Sequence, residues 1–134
     1  MDGTEPITLN KPGNVTIDTH GNVLIQEDPG ASESLSRILA YRIADGALGT
    51  VAQFDPAKFL TGGSQFITND EESSGIIDAE ATFGTAGTFL FDAQVHTANG
   101  LPPGTGKNTV QEYVENGQLL RLDVADFAAV YAQG

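Results

Sequence analysis

The feature that most limits how this chain can fold is a short internal echo near its start. Gly13-Asn14-Val15-Thr16-Ile17-Asp18 is followed almost at once by Gly21-Asn22-Val23-Leu24-Ile25-Gln26. Both runs are rich in β-branched residues, which suit a pleated and half-buried surface. Asp18-Thr19-His20-Gly21 stands between them, with glycine available for a left-handed position. That spacing predicts a tight β-hairpin.

More strands follow at short intervals. After a loop from Glu27 to Ser36 holding Asp28-Pro29-Gly30, strand-like sequence resumes at Arg37–Ile43. There Leu39, Tyr41 and Ile43 fall on one face by the two-residue period. Asp45-Gly46 reads as a turn, and Leu48–Phe54 as a fourth strand. Four antiparallel strands in about 40–45 residues is the pattern of one β-propeller blade. The expected fold is therefore all-β: a partial β-propeller of one four-stranded blade, over residues 14–54, and part of another, with short helices.

The second blade, over residues 55–122, is expected to be interrupted by long loops. Asp55 and Pro56 read as N-cap and first residue of a short helix through Leu60. Two further strands are expected, at Gly87–Gln94 and Gly117–Leu122, separated by a loop from Thr97 to Thr109 that holds Pro102 and Pro103. In the tail, residues 123–134, Val124, Phe127, Val130 and Tyr131 share a helical face, with Asp123 as the expected cap. One blade and two extra strands leave open edges, which propellers avoid by closing the ring. Covering them calls for further blades or self-association.

Composition narrows the possible partners. The 134 residues carry 18 acidic against 6 basic side chains, a formal net charge of −12. A surface so acidic repels phosphate backbones and anionic membranes, which argues against both as partners. Hard divalent cations, which prefer carboxylate and carbonyl oxygens, are the natural counterpart. Solubility alone is the simpler reason for the acidity. With no cysteine, neither a disulfide nor a thiolate metal site can form from this chain. No apolar run approaches the length of a membrane span, and no signal peptide opens the chain, so export would need a signal upstream.

Three constellations are candidates for chemistry. Gln26-Glu27-Asp28 ends a strand and opens a loop, where paired carboxylates can hold a metal; from spacing alone a solvated loop mouth, with Asp28 stabilising the turn before Pro29-Gly30, is the simpler reading. Asp70-Glu71-Glu72-Ser73-Ser74-Gly75-Ile76-Ile77-Asp78 holds four carboxylates, which repel one another unless solvated or bridged by a cation. Its order is not that of an EF-hand loop. In Phe91-Asp92-Ala93-Gln94-Val95-His96, Asp92 interrupts an apolar run and is expected to be buried and to need a partner. His96 ends the strand, where a structural hydrogen bond is the simpler reading, and His20 is expected to be exposed in the hairpin turn. Gly104-Thr105-Gly106-Lys107 looks like a phosphate loop, but Asn108 stands where that motif needs Ser or Thr. No serine-hydrolase elbow is present.

In order, Gly21–Gly30, Arg37–Tyr41, Val51–Pro56, Glu71–Asp78, Gly87–His96 and Glu115–Leu120 resemble the later part of the PhoX-like bacterial alkaline phosphatases, a family formerly known only as a bacterial domain of unknown function. The resemblance spans about residues 12–122 and implies a propeller with acidic residues at its centre. It implies calcium, with iron in the characterised phosphatases, and hydrolysis of phosphate monoesters. It also implies export by the twin-arginine route to the periplasm or beyond. Carried over motif by motif, Glu27 and Glu72 are the first expected metal ligands, followed by Asp28, Glu71 and Asp92. Metal would activate an oxygen nucleophile, so no Ser or Cys nucleophile is required. The family's iron site uses a cysteine, which would have to come from other sequence, and the chain is too short for the whole fold.

Three functions compete: the C-terminal part of a metal-dependent phosphomonoesterase, a non-catalytic calcium-binding or structural propeller module, and an oligomer that completes a propeller from several chains.

Overall fold

The computed structural model describes residues 6–98, 109, 112 and 115–134. The chain is mostly β: the described residues include two antiparallel sheets, of four and three strands, and three short helices for which full bounds can be given. The first sheet is a meander of β1 (Pro12–Ile17), β2 (Asn22–Glu27), β3 (Arg37–Arg42) and β4 (Leu48–Gln53), in that spatial order. The predicted hairpin is present. Ile17 pairs with Val23, and Gly21 takes φ 85° in the turn, a conformation that suits a residue without Cβ.

The second sheet is β5 (Glu71–Asp78), β6 (Thr88–Val95) and β7 (Gln118–Asp123). Sequence pattern predicts only β6 and β7. The segment Glu71–Asp78 is also a strand, paired with β6 across a register shift between Ser74 and Ile77. Gly75, at φ 63°, sits in that shift. The irregularity breaks the two-residue alternation on which the expectation relies.

Helix α1 (Pro56–Phe59) starts as expected, with the Asp55 side chain accepting from the Ala57 N–H at 2.9 Å. Helix α2 (Glu80–Phe83) lies between β5 and β6. Helix α3 (Phe127–Tyr131) forms in the tail, but Asp126 caps it, accepting from the N–H groups of Ala128 and Ala129. Asp123, the expected cap, instead ends β7 and pairs with Arg121 at 2.9 Å. The look-alike Gly104–Lys107 lies outside the described residues.

The two sheets and α3 share one core. Leu24, Ile38 and Ala40 from the first sheet meet Ile76 and Phe89 from the second, with Tyr131 closing one side. Burying side chains the size of Leu24 or Phe89 contributes about 1.5–3 kcal/mol each. Phe127 meets Phe89 edge-on and stacks on Tyr131. The Tyr131 hydroxyl donates to the Asn22 side chain at 2.7 Å, and Asn22 in turn donates to Asp18. A buried polar chain thus ties the tail to the first hairpin.

The other face of the first sheet is also apolar. The register aligns Ile17, Val23, Tyr41 and Leu48 in one row. Val15 and Ile17 remain about three-fifths exposed (61% and 60%), with Ile43 and Tyr41 beside them also exposed. A sheet apolar on both faces is built to be covered on both.

Candidate functional site

The five candidate ligands fall in four separate places. Glu27, at the end of β2, is completely buried. Arg37 on β3 lies beside it because Gln26 pairs with Ile38, which places the two residues next to one another across the ladder. The guanidinium donates to both carboxylate oxygens, at 2.7 and 2.8 Å. A third donor, the Asn10 N–H, reaches Glu27 Oε1 at 2.7 Å. Three charge-assisted hydrogen bonds satisfy this carboxylate, and the guanidinium neutralises its charge. The carboxylate in turn holds the Arg37 guanidinium above its ordinary range.

Asp28 turns away into the loop. Its side chain accepts from the Gly30 N–H at 3.2 Å and is exposed. It stabilises the turn in the way its place before Pro29-Gly30 suggests.

Glu71 faces the space between the sheets. It is 1% exposed, and its Oε1 accepts from the Ser36 N–H at 2.9 Å. Its Oε2 has no hydrogen-bond partner, and neither do the buried Ser73 hydroxyl and the Gln26 side-chain nitrogen. Burial pushes the Glu71 carboxyl above its ordinary value. These orphan atoms belong to residues on the facing surfaces of β5 and β2, where Gln26 also accepts from the Ile76 N–H at 2.9 Å.

Glu72 and Asp92 lie on the opposite face of the second sheet, by strand alternation and by the Ser74–Asp92 pairing. Asp92 is exposed, which corrects the expected buried carboxylate. The apolar residues around it alternate, so Phe91 and Ala93 point to the first sheet while Asp92 points away. Glu72 stands 3.7 Å from His96 Nε2, and Glu115 stands 3.9 Å from Nδ1 of the same ring. The two carboxylates approach opposite nitrogens and so cannot share one ion with that imidazole.

Among the described residues, no group of three or more His, Asp or Glu side chains stands close enough to hold a metal ion. Calcium takes six to eight oxygens. Glu71 offers one free oxygen and Glu27 offers none, so the described residues alone do not fit a calcium cage. The three arginines are also engaged: Arg37 with Glu27, Arg42 with Asp45 and Arg121 with Asp123. His20 is exposed, as expected, and its Nε2 meets Glu80 at 2.8 Å. No helix among the described residues is long and apolar enough to cross a membrane.

Sequence reasoning places Arg37 in a strand but does not pair it with Glu27. The signal was available, since a strand–loop–strand register that opposes residues 26 and 38 also opposes their neighbours. Ser36, Ser73 and Gln26 carry no comparable signal, because small or neutral polar residues are common at strand ends. The sequence matches no family model, no curated protein and no solved structure.

Proposed function

We propose that this chain is the C-terminal portion of a PhoX-like phosphatase, a calcium- and metal-dependent hydrolase of phosphate monoesters, and that it is incomplete alone. In this reading β1–β4 form one propeller blade and β5–β7 part of the next, in a protein exported to the periplasm or beyond. The observation that carries the reading is the two-sided apolar character of the first sheet. Its outer row of Ile17, Val23 and Tyr41 needs a further sheet against it, as a stacked blade supplies. The strictly sequential order of strands in both sheets supports the same reading.

Calcium, and iron in the parent family, belong to this proposal as ions whose ligands come largely from other parts of the propeller. The test is phosphate release from an aryl phosphate, with calcium and iron supplied, by the longer protein and by this chain. Release by the longer protein and little by the chain is the expected result. A longer protein that releases none overturns the enzymatic reading.

A second reading, a non-catalytic structural or calcium-binding module, is favoured by the Glu27–Arg37 pair. The first expected metal ligand is there consumed by an internal cation. Thermal melting at millimolar calcium separates the two versions of this module: a calcium-binding module melts higher, and a purely structural one does not move.

A further inference from the structure

The two sheets do not close completely on the side away from α3. A cleft of about 160 Å³ opens between them, walled by Ile38, Phe54, Phe91, Ala93 and Leu120. Ser73 also lines it, and the Ser73 hydroxyl is buried without a hydrogen-bond partner. The other serine on the wall, Ser36, already donates its hydroxyl hydrogen to the Glu27 carbonyl at 2.6 Å. No charged side chain among the described residues lines the cleft.

We propose that this cleft is a binding site for a small neutral ring alcohol, of the phenol or cyclohexanol class. The volume is close to that of an apolar cavity of about 150 Å³ known to take benzene, so one six-membered ring fills it. The apolar walls recognise the ring, and the flanking aromatics Phe54 and Phe91 suit an edge or face contact. The orphan hydroxyl of Ser73 can either donate or accept, so it pairs with a single ligand hydroxyl. A charged ligand is rejected, because no opposite charge on the walls offsets its desolvation. Carboxylates are doubly disfavoured by the net charge of −12. This site is independent of the propeller reading, since it is built only from facing residues of the two described sheets and from Ser36 and Phe54, which flank β3 and β4.

The test is a titration of the 134-residue chain with phenol, toluene and benzoate, followed by amide chemical shifts. Saturable phenol shifts centred on Ser73, Phe91 and Ala93 are expected, with toluene at least fivefold weaker and benzoate without effect. Ser73→Ala removes an unpartnered hydroxyl, so the fold is expected to hold, and phenol should fall to the level of toluene. Ala93→Leu, which fills the cleft, should abolish binding of both while shifts elsewhere stay unchanged. Non-saturable or scattered phenol shifts, equal binding of benzoate, or an undiminished phenol preference in Ser73→Ala each overturn the proposal.

Discussion

The Arg37 guanidinium grips the buried Glu27 carboxylate with two hydrogen bonds, of 2.7 and 2.8 Å. The same guanidinium donates to the Thr8 carbonyl at 2.7 Å, so the pair also fastens the segment ahead of β1 to the sheet. Removing one partner of a buried ion pair strands the other charge in a medium that cannot solvate it. Arg37→Met is therefore expected to lower the unfolding free energy by about 3–5 kcal/mol. The double variant Arg37→Met/Glu27→Met should recover most of that loss, because two apolar residues leave no buried charge behind. Urea unfolding of the two variants checks this. A double variant no more stable than the single one would mean the loss is in packing, not charge.

A second buried contact reports on the tail. The Tyr131 hydroxyl donates to Asn22 at 2.7 Å in a buried setting, and Asn22 donates to Asp18 through both its backbone and side-chain nitrogens. Tyr131→Phe keeps the ring and its stacking on Phe127 but leaves the Asn22 oxygen without a donor. The expected cost is about 1–3 kcal/mol, read as a lower urea midpoint with an unchanged slope. A changed slope would mean that the tail has come off as a unit.

The contact between α3 and β4 depends on a missing side chain. A Cβ at Gly49 would collide with the backbone carbonyl of Val130, which has no flexible end to move. Gly49→Ala should therefore displace α3 and loosen the Phe127 and Tyr131 contacts beneath it. Near-ultraviolet circular dichroism should lose intensity while the far-ultraviolet strand signal persists. A variant with the native aromatic signal would show that the helix shifts without cost.

These relationships also mark where the sequence was readable. The pattern of short apolar runs between turns revealed β1 to β4, β6 and β7, although the pairing shifts register once between β1 and β2 and once between β3 and β4. It failed at β5, where the shift at Gly75 moves Ile76 to the buried face and Ile77 to the exposed one. Five candidate carboxylates could be picked out by type, but not by the faces they occupy. Glu71 and Glu72 are neighbours in sequence and lie on opposite sides of a sheet. What a carboxylate can bind depends on partners across a ladder or between sheets, and local pattern does not report these. Asp92 is the simplest instance: a charge in an apolar run looked buried, whereas alternation sends it outward.

The pair formed by His20 and Glu80 joins the first hairpin turn to α2. The hydrogen bond that His20 donates to the Glu80 carboxylate holds the imidazole above its ordinary value of 6.5. Since the native value lies above the unfolded one, the contribution is fully present below about pH 6.5 and is lost as pH rises through the native value. His20→Gln is expected to flatten that part of the profile. The measurement is the thermal midpoint from about pH 5.5 to 8.5, in low salt because the pair is exposed. An unchanged slope would assign the pH dependence to other groups.

Glu71 gives the opposite kind of test, because burial without a counter-charge raises its carboxyl. Below the ordinary value of 4.5 it is neutral in both states and burying it carries no charge penalty. As pH rises through the native value, the unfolded chain releases its proton more readily, and stability falls. Glu71→Gln keeps an acceptor for the Ser36 N–H and cannot ionise. It should melt with the wild type near about pH 4 and above it at about pH 7. Calcium turns this into a decision about the site. An ion bound at Glu71 Oε2 would lower the carboxyl and stabilise the wild type at neutral pH, and Glu71→Gln would lose that gain. If the variant melts higher than the wild type even at millimolar calcium, Glu71 is a buried acid that binds no cation in this chain. Any calcium bound by the chain would then be held by other oxygens.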